Sequence, residues 1–182
     1  MIKQKIIDLY GEKYLRKSSA NIREGDKILA EIIGKENPDV VLEIGTYKGV
    51  GSAIISQHCR KVITIDLVNG KVELNQDQAT RQCLWEKLGI KNIDFRQVKN
   101  DTHKRELIKT LKFDMAFIDG DHSSAGVVRD FNMVKHCGKI LFHDYDCSDR
   151  ENRNEVYEFV NTLKEGVEVN DIFALWKGDR NG

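Results

Sequence analysis

Carboxylates and imidazoles follow the ends of two apolar runs in this sequence. The run at 115–118 leads into an Asp-Gly-Asp-His segment that contains Asp119, Asp121 and His122. The run at 140–142 leads into His143 and Asp144. Side chains of these types can activate a hydroxyl group by holding a divalent cation or by accepting its proton as a general base. Both segments therefore point to metal-assisted or acid–base chemistry.

Each of the two mechanisms has its own candidate residues. Carboxylate oxygens are the ligands that Mg²⁺ prefers, so Asp119 and Asp144 are candidate metal ligands, with Asp121 or Asp146 as a third. A structural role is the alternative for Asp121, which could instead cap the following helix. A neutral imidazole is available near pH 7 to take a proton. The candidate catalytic residues are His143, Asp119 and His122.

A glycine-rich turn follows another apolar run in the segment VLEIGTYKGVGSAI, which begins at residue 41. Glycine lets the backbone turn sharply and lets a ligand approach closely. The helix N-terminus behind the turn favours negative charge. The dinucleotide fingerprint would need glycines at the third and sixth places counted from Gly45, but Tyr47 and Val50 occupy them. The turn is thus typical of a nucleotide-like ligand without matching the nicotinamide-cofactor motif.

Strands alternate with helices along most of the chain. Apolar runs predict strands near 38–45, 61–66, 92–98, 113–119, 138–144, 167–169 and 172–176. Helical periodicity predicts helices near 1–17, 22–33, 50–58, 77–88, 103–111, 127–135 and 151–164. This alternation predicts an α/β fold with a Rossmann-like doubly wound sheet, in which only the last strand is antiparallel because no crossover fits before it. Ligands bind beyond the carboxyl ends of such strands, where four acids fall: Glu43, Asp66, Asp119 and Asp144.

Length and composition limit the remaining possibilities. The 182 residues suit one globular unit, with N-terminal cap helices over 1–36 and a ligand-binding domain over 37–182. The 29 basic and 29 acidic residues cancel, so nucleic acid and anionic membranes are not expected partners. The charged run KRELIK at 104–109 predicts a solvated helix face. Scattered cysteines without a C-x-x-C pair argue against zinc and are typical of a reduced, cytoplasmic protein. The amphipathic first helix needs a partner face, which a homo-oligomer could supply.

The glycine turn and the strands after it resemble the class I S-adenosylmethionine-dependent methyltransferases. LEIGTYKGVGS resembles their first motif, Asp66 stands where an acid can bind both ribose hydroxyls, and VKND resembles the segment that holds the adenine. The resemblance implies S-adenosylmethionine as the cofactor. The residues that it implies for cofactor binding are Glu43, Gly45, Thr46, Tyr47, Gly49, Asp66, Leu67, Asn100, Asp101 and Asp119.

The D-G-D-H-S segment at 119–123 and the H-D pair at 143–144 resemble a narrower group. That group includes macrocin O-methyltransferase-like and cephalosporin-hydroxylase-like proteins, and the similarity covers about residues 22–145. It implies methyl transfer to a hydroxyl of a small-molecule acceptor, with Mg²⁺ in the metal-dependent members. Those members usually carry Asp or Asn directly after the second aspartate, where this sequence has Tyr145. Because a neutral phenol is a poor ligand, the Mg²⁺ prediction depends on Asp119 and Asp144.

Two other functions fit parts of the pattern. A cofactor-binding module without catalysis is compatible with the short chain, which leaves few segments to cover a substrate. A nicotinamide-dependent oxidoreductase is disfavoured by the glycine spacing. Binding of S-adenosylhomocysteine rather than NAD, followed by methyl transfer to an acceptor, would separate the three functions.

Overall fold

A seven-stranded sheet forms the centre of the molecule. The computed structural model describes residues 2–15, 24–67, 81–145, 155–163 and 165–178. The strands are β1 (Val40–Ile44), β2 (Lys61–Leu67), β3 (Ile93–Val98), β4 (Met115–Ile118), β5 (Lys139–His143), β6 (Val167–Asn170) and β7 (Phe173–Lys177). Their order across the sheet is β3-β2-β1-β4-β5-β7-β6. β1 to β5 are mutually parallel and β7 is antiparallel to both of its neighbours, which confirms the predicted Rossmann-like architecture.

Helices connect the strands and cover both faces of the sheet. They are α1 (Ile2–Tyr10), α2 (Gly25–Glu36), α3 (Val50–Ile55), α4 (Arg81–Lys87), α5 (Asp101–Lys109), α6 (Ser124–Val134) and α7 (Glu155–Thr162). Two of them begin earlier than predicted because a side chain caps them. Asn100 Oδ1 accepts the His103 amide over 2.9 Å before α5, and Ser123 Oγ accepts the Gly126 amide over 3.1 Å before α6.

The N-terminal helices pack against the sheet. A single helix was predicted over 1–17, but Gly11, with φ of +74°, separates α1 from a 3-10 turn at Glu12–Leu15. Ile6 and Leu15 are buried in the same hydrophobic cluster as Val41 of β1. The division of the chain at residue 36 stays a prediction. Within the described ranges, every helix is too short or too polar to cross a membrane.

Two hydrophobic clusters lie on opposite faces of the sheet because successive side chains of a strand alternate in direction. Val41 of β1 belongs to the cluster beneath α2 and α3. Leu42 and Ile44 belong to the cluster that packs against α6 and α7. Strands buried on both faces account for the continuous apolar runs in the sequence. Glu43 is the polar exception within β1, and only 1% of its surface is exposed.

Candidate active site

The turn between β1 and α3 lies directly against the end of β4. Gly45 has φ of +100°, and a Cβ atom there would overlap the backbone of Asp119, so only glycine lets the two loops meet. Gly49 has φ of +76°, and an added Cβ would lie 2.7 Å from Trp85 Cζ2. Trp85 Nε1 also donates to the Gly49 carbonyl over 2.9 Å. Both glycines are therefore required by the packing of the turn itself.

A buried polar network lies behind this turn. Glu43 Oε2 accepts hydrogen bonds from the hydroxyls of Ser52 and Thr64, and Thr64 Oγ1 is 2.6 Å from Thr46 Oγ1. Burial raises the pKa of Glu43 to about 8, although the two hydroxyl donors oppose that change. Glu43 is therefore largely protonated at pH 7 and acts as a neutral hydrogen-bonding group.

Asp66 ends β2 with its carboxylate turned toward the glycine turn. Oδ2 accepts the Tyr47 amide over 3.1 Å and Arg81 Nη1 over 2.8 Å. Oδ1 accepts the Leu67 amide over 2.9 Å. The Arg81 guanidinium lies over the Phe95 ring, 4.6 Å from its centroid. The Asp66 carboxylate is thus oriented by two backbone amides and by one arginine side chain.

A cavity of about 470 Å³ lies beyond the carboxyl ends of β1, β2 and β4. Six of the residues predicted to bind a cofactor line it: Gly45, Tyr47, Asp66, Leu67, Asp101 and Asp119. Apolar side chains of the strands add Ile44, Ile65 and Val98. Four predicted residues are not among the described residues that line it: Glu43, Thr46, Gly49 and Asn100. These four instead support the turn or cap α5.

Charged residues that were not predicted also line this cavity. Lys104, of which 5% is exposed, pairs with the fully buried Asp130 and lies 3.2 Å from Asp101. Arg129 Nε is 3.0 Å from Asp101, and Arg129 Nη2 is 3.0 Å from Asp121. The solvated face predicted for 104–109 is wrong at Lys104. The sequence did contain a signal for the burial of Lys104. Asp130 is an acid within the apolar stripe of α6, and a buried carboxylate needs a positively charged or hydrogen-bonding partner.

Two imidazoles and two carboxylates gather at one edge of the cavity. His122 Nδ1 lies 2.8 Å from Asp144 Oδ2, and His122 Nε2 lies 3.3 Å from Asp119 Oδ1. His143 Nδ1 lies 2.8 Å from Asp119 Oδ1 and 3.4 Å from Asp144 Oδ1. Asp144 adopts a left-handed φ of +61°, which directs its side chain into this group. We call these four residues the His–Asp cluster.

The charges of the His–Asp cluster support one another. Burial lowers the pKa of His122, but the carboxylates of Asp119 and Asp144 outweigh it and raise the value to about 10. Burial likewise opposes the charged form of His143, and Asp119 outweighs it, so the pKa of His143 is also raised. Burial would raise the pKa of Asp119, but the charge of His143 holds it well below its usual range. The opposite charges within the His–Asp cluster therefore favour the ionised forms of its carboxylates and imidazoles.

The predicted Mg²⁺ ligands are only partly brought together. Asp119 and Asp144 converge through the two imidazoles, whereas Asp121 turns to the Ser123 amide and to Arg129. Asp146, the alternative third ligand, lies outside the described residues. Imidazoles stand where further oxygen ligands were expected, and Mg²⁺ prefers an octahedral shell of oxygens. The donor set therefore fits Mg²⁺ poorly.

Comparison with known proteins places the chain in a family. Residues 42–145 match a family model described as a methyltransferase domain, a segment that contains the glycine turn and the whole His–Asp cluster. A search of curated proteins finds no match.

Solved structures share the fold at low sequence identity. Cofactor-bound Rv0187 from MTB is 17% identical with a TM-score of 0.68, over 98% of this chain and 95% of that one. The O-methyltransferase from Bacillus cereus in complex with SAH is 15% identical with a TM-score of 0.62, over 98% and 97%. The O-methyltransferase TomG from Streptomyces achromogenes, in complex with SAM, is 16% identical with a TM-score of 0.63, over 97% and 95%. The match therefore covers nearly the whole of each of these solved chains.

Proposed function

Because the chain belongs to the methyltransferase-domain family, we propose that it methylates a hydroxyl group of a small molecule and uses S-adenosylmethionine as the methyl donor. The observation that carries the proposal is the position of Asp119. This residue lines the cavity at the strand ends and also belongs to the His–Asp cluster. A ligand in the cavity and an acceptor at the cluster would therefore meet at Asp119.

The cavity offers a matching surface for each part of the cofactor. Asp66 is a strand-end carboxylate that can accept hydrogen bonds from ribose hydroxyls, in the place where Arg81 now donates. Leu67, an apolar side chain with 41% of its surface exposed, lies beside the cavity and can cover one face of a purine. Asp101 can accept a hydrogen bond from an exocyclic amino group. The close packing of Gly45 against the backbone of Asp119 brings the glycine turn and the end of β4 to the same side of the cavity.

The His–Asp cluster is suited to activating the acceptor. S-adenosylmethionine supplies an already activated methyl group, so the protein has to orient the acceptor oxygen and help remove its proton. The His122 side chain is 34% exposed, whereas that of His143 is 5% exposed. An acceptor that enters from solvent can therefore reach His122, which is charged at pH 7 because its pKa is raised to about 10 and can orient the acceptor oxygen by donating a hydrogen bond. The neighbouring Asp119 carboxylate can accept the proton, and His143 positions Asp119. No step of this proposal depends on Mg²⁺, which the donor set fits poorly.

The cofactor part of the proposal is tested by titrating the chain with S-adenosylhomocysteine and, separately, with NAD. We expect binding of S-adenosylhomocysteine, and a loss of about 10- to 100-fold in affinity for Asp66→Asn, because hydrogen bonds to a charged group contribute about 1.5–3 kcal/mol. Asp94→Asn is the matched control, since Asp94 is also a strand carboxylate paired with basic side chains. It lies in β3 and pairs with Lys61 and Arg96. Preferential binding of NAD would overturn the proposal.

The catalytic part is tested by methyl transfer to a panel of phenols and sugar alcohols, followed as S-adenosylhomocysteine release. We expect His122→Gln to lower kcat by about 10²-fold, because the acceptor oxygen loses the group that orients it, with unchanged affinity for S-adenosylhomocysteine. Unchanged turnover in this variant would remove His122 from the mechanism. Tight cofactor binding without transfer to any acceptor would favour a non-catalytic binding module.

A further inference from the structure

Three donor atoms of the His–Asp cluster face one another across a space of atomic size. One ligand atom each from Asp119, His122 and His143 lies within 4.8 Å of the other two. The Asp119 Oδ1 to His143 Nδ1 distance is 2.8 Å, and the Asp119 Oδ1 to His122 Nε2 distance is 3.3 Å. Two donors that share an ion at about 2.1 Å, with an angle of 90° to 110° between them, are about 3.0–3.4 Å apart. These separations are close to those of ligands on a single ion.

Hydrogen bonding does not use all of these donors. Nε2 of the 95%-buried His143 side chain has neither a hydrogen-bond nor an ion-pair partner among the described residues. Nδ1 of His143 and Nε2 of His122 lie within ion-pair distance of Asp119 but do not meet the geometry of a hydrogen bond. Buried polar atoms without a partner are uncommon in folded proteins, and a bound ion is one of the recognised reasons for them. This observation is independent of the distances and points to a ligand inside the His–Asp cluster.

The other nitrogen of His122 is held in the way that metal-binding imidazoles usually are. His122 Nδ1 lies 2.8 Å from Asp144 Oδ2, which directs Nε2 toward Asp119. Metal-bound histidines commonly donate their remaining ring N–H to a carboxylate, and that contact fixes the ring orientation. Asp144 can therefore position a ligand rather than serve as one.

From this geometry we propose that Asp119, His122 and His143 bind a divalent first-row transition-metal ion of the Zn²⁺ or Co²⁺ type, in preference to Mg²⁺. Two of the three donors are imidazole nitrogens, which suit such ions, whereas Mg²⁺ is bound by carboxylate, carbonyl and water oxygens. The inference deepens the proposed function, because it names the cation that the acceptor site would hold. Cysteine spacing argued against zinc, but the donors proposed here are imidazoles and one carboxylate.

The test is isothermal titration of the chelator-treated chain with Zn²⁺ and with Mg²⁺, and a visible absorption titration with Co²⁺. We expect one Zn²⁺ per chain, bound at least about 100-fold more tightly than Mg²⁺, and a Co²⁺ spectrum that reports nitrogen ligands. His122→Gln and His143→Gln should each abolish this preference. Asp144→Asn should weaken Zn²⁺ binding by about 10- to 100-fold. His136→Gln removes an exposed imidazole outside the His–Asp cluster and should change nothing.

Several outcomes would overturn the inference. Mg²⁺ binding as tight as that of Zn²⁺ would do so, as would Zn²⁺ binding that survives both cluster substitutions or the absence of binding by either ion. Because 34% of the His122 side chain is exposed, the test stays decisive even if the variant of the buried His143 does not fold. Binding of S-adenosylhomocysteine, measured on the same samples, separates the two proposals: a chain that binds it but no Zn²⁺ contradicts only this inference.

Discussion

Replacing Glu43 with glutamine should change how the stability of the protein depends on pH. Glu43 is buried in β1, and burial raises its pKa from the ordinary 4.5 to about 8. The folded chain therefore keeps this proton over a pH range in which the unfolded chain releases it. Because the folded-state pKa is the higher one, the stability contributed by this group is fully present below about pH 4.5. It is lost as the pH rises to about 8.

The size of the effect follows from the interval between the two pKa values. From 4.5 to about 8, at about 1.4 kcal/mol per unit, the wild-type chain loses about 5 kcal/mol of unfolding free energy through this one group. Glutamine has nearly the same shape and does not ionise, and its amide oxygen can still accept from Ser52 and Thr64. The unfolding free energy of Glu43→Gln, relative to wild type, should therefore increase by about 5 kcal/mol between these pH values and then level off.

Urea denaturation at several pH values between 4.5 and 9, followed by tryptophan fluorescence, measures this difference. Glu86→Gln, which alters an exposed residue of α4, controls for the loss of one negative charge. A difference between Glu43→Gln and wild type that does not change with pH would refute the reasoning. It would mean that Glu43 is ionised in the folded protein and that its two hydroxyl donors compensate for burial.

Two further substitutions have matched controls elsewhere in the chain. Gly49→Ala should lower the unfolding free energy by about 2–4 kcal/mol, because it adds overpacking to the cost of a left-handed residue. The control is Gly89→Ala, since Gly89 has φ of +70° but open space around it. This control should lower the unfolding free energy by only about 1 kcal/mol. Equal losses in urea denaturation would contradict the packing argument. Lys104→Met should cost about 3–5 kcal/mol by leaving the Asp130 carboxylate buried and unpaired, and a second change, Asp130→Leu, should recover most of that loss. Lys109→Met, in an exposed pair, should cost less than about 1 kcal/mol, and a similar loss for both lysines would show that the burial of Lys104 has no energetic consequence.

Local patterns were enough to predict most of the elements. The apolar runs around β1, β2 and β5 match the observed strands closely, since a strand buried on both faces must be apolar along its length. The starts of α5 and α6 were placed too late, because the predictions followed the apolar periodicity and not the caps at Asn100 and Ser123. A polar side chain before a helix is a local signal, so this error could have been avoided.

One general rule was enough to predict that the acids at the strand ends lie near one another. Parallel strands end at the same edge of a sheet, so Asp66, Asp119 and Asp144 had to approach one another once the alternation of strands and helices was recognised. The same rule did not apply to Glu43. Its side chain points to the face behind the turn, and hydroxyls that follow it by 9 and 21 residues decide its surroundings.

Local sequence patterns are enough to specify the parallel sheet, the glycine turn and the edge at which polar side chains collect. The partners of those side chains depend on the folded arrangement: Asp121 pairs with Arg129, Lys104 is buried against Asp130, and His122 and His143 join Asp119 and Asp144. Strand and helix patterns repeat within a few residues and can be recognised locally. Whether a side chain points toward a partner on another element depends on how whole elements pack. Lys104 and Asp130, for example, are 26 residues apart in the sequence. Such charges and donors are matched only after the sheet and its helices have assembled.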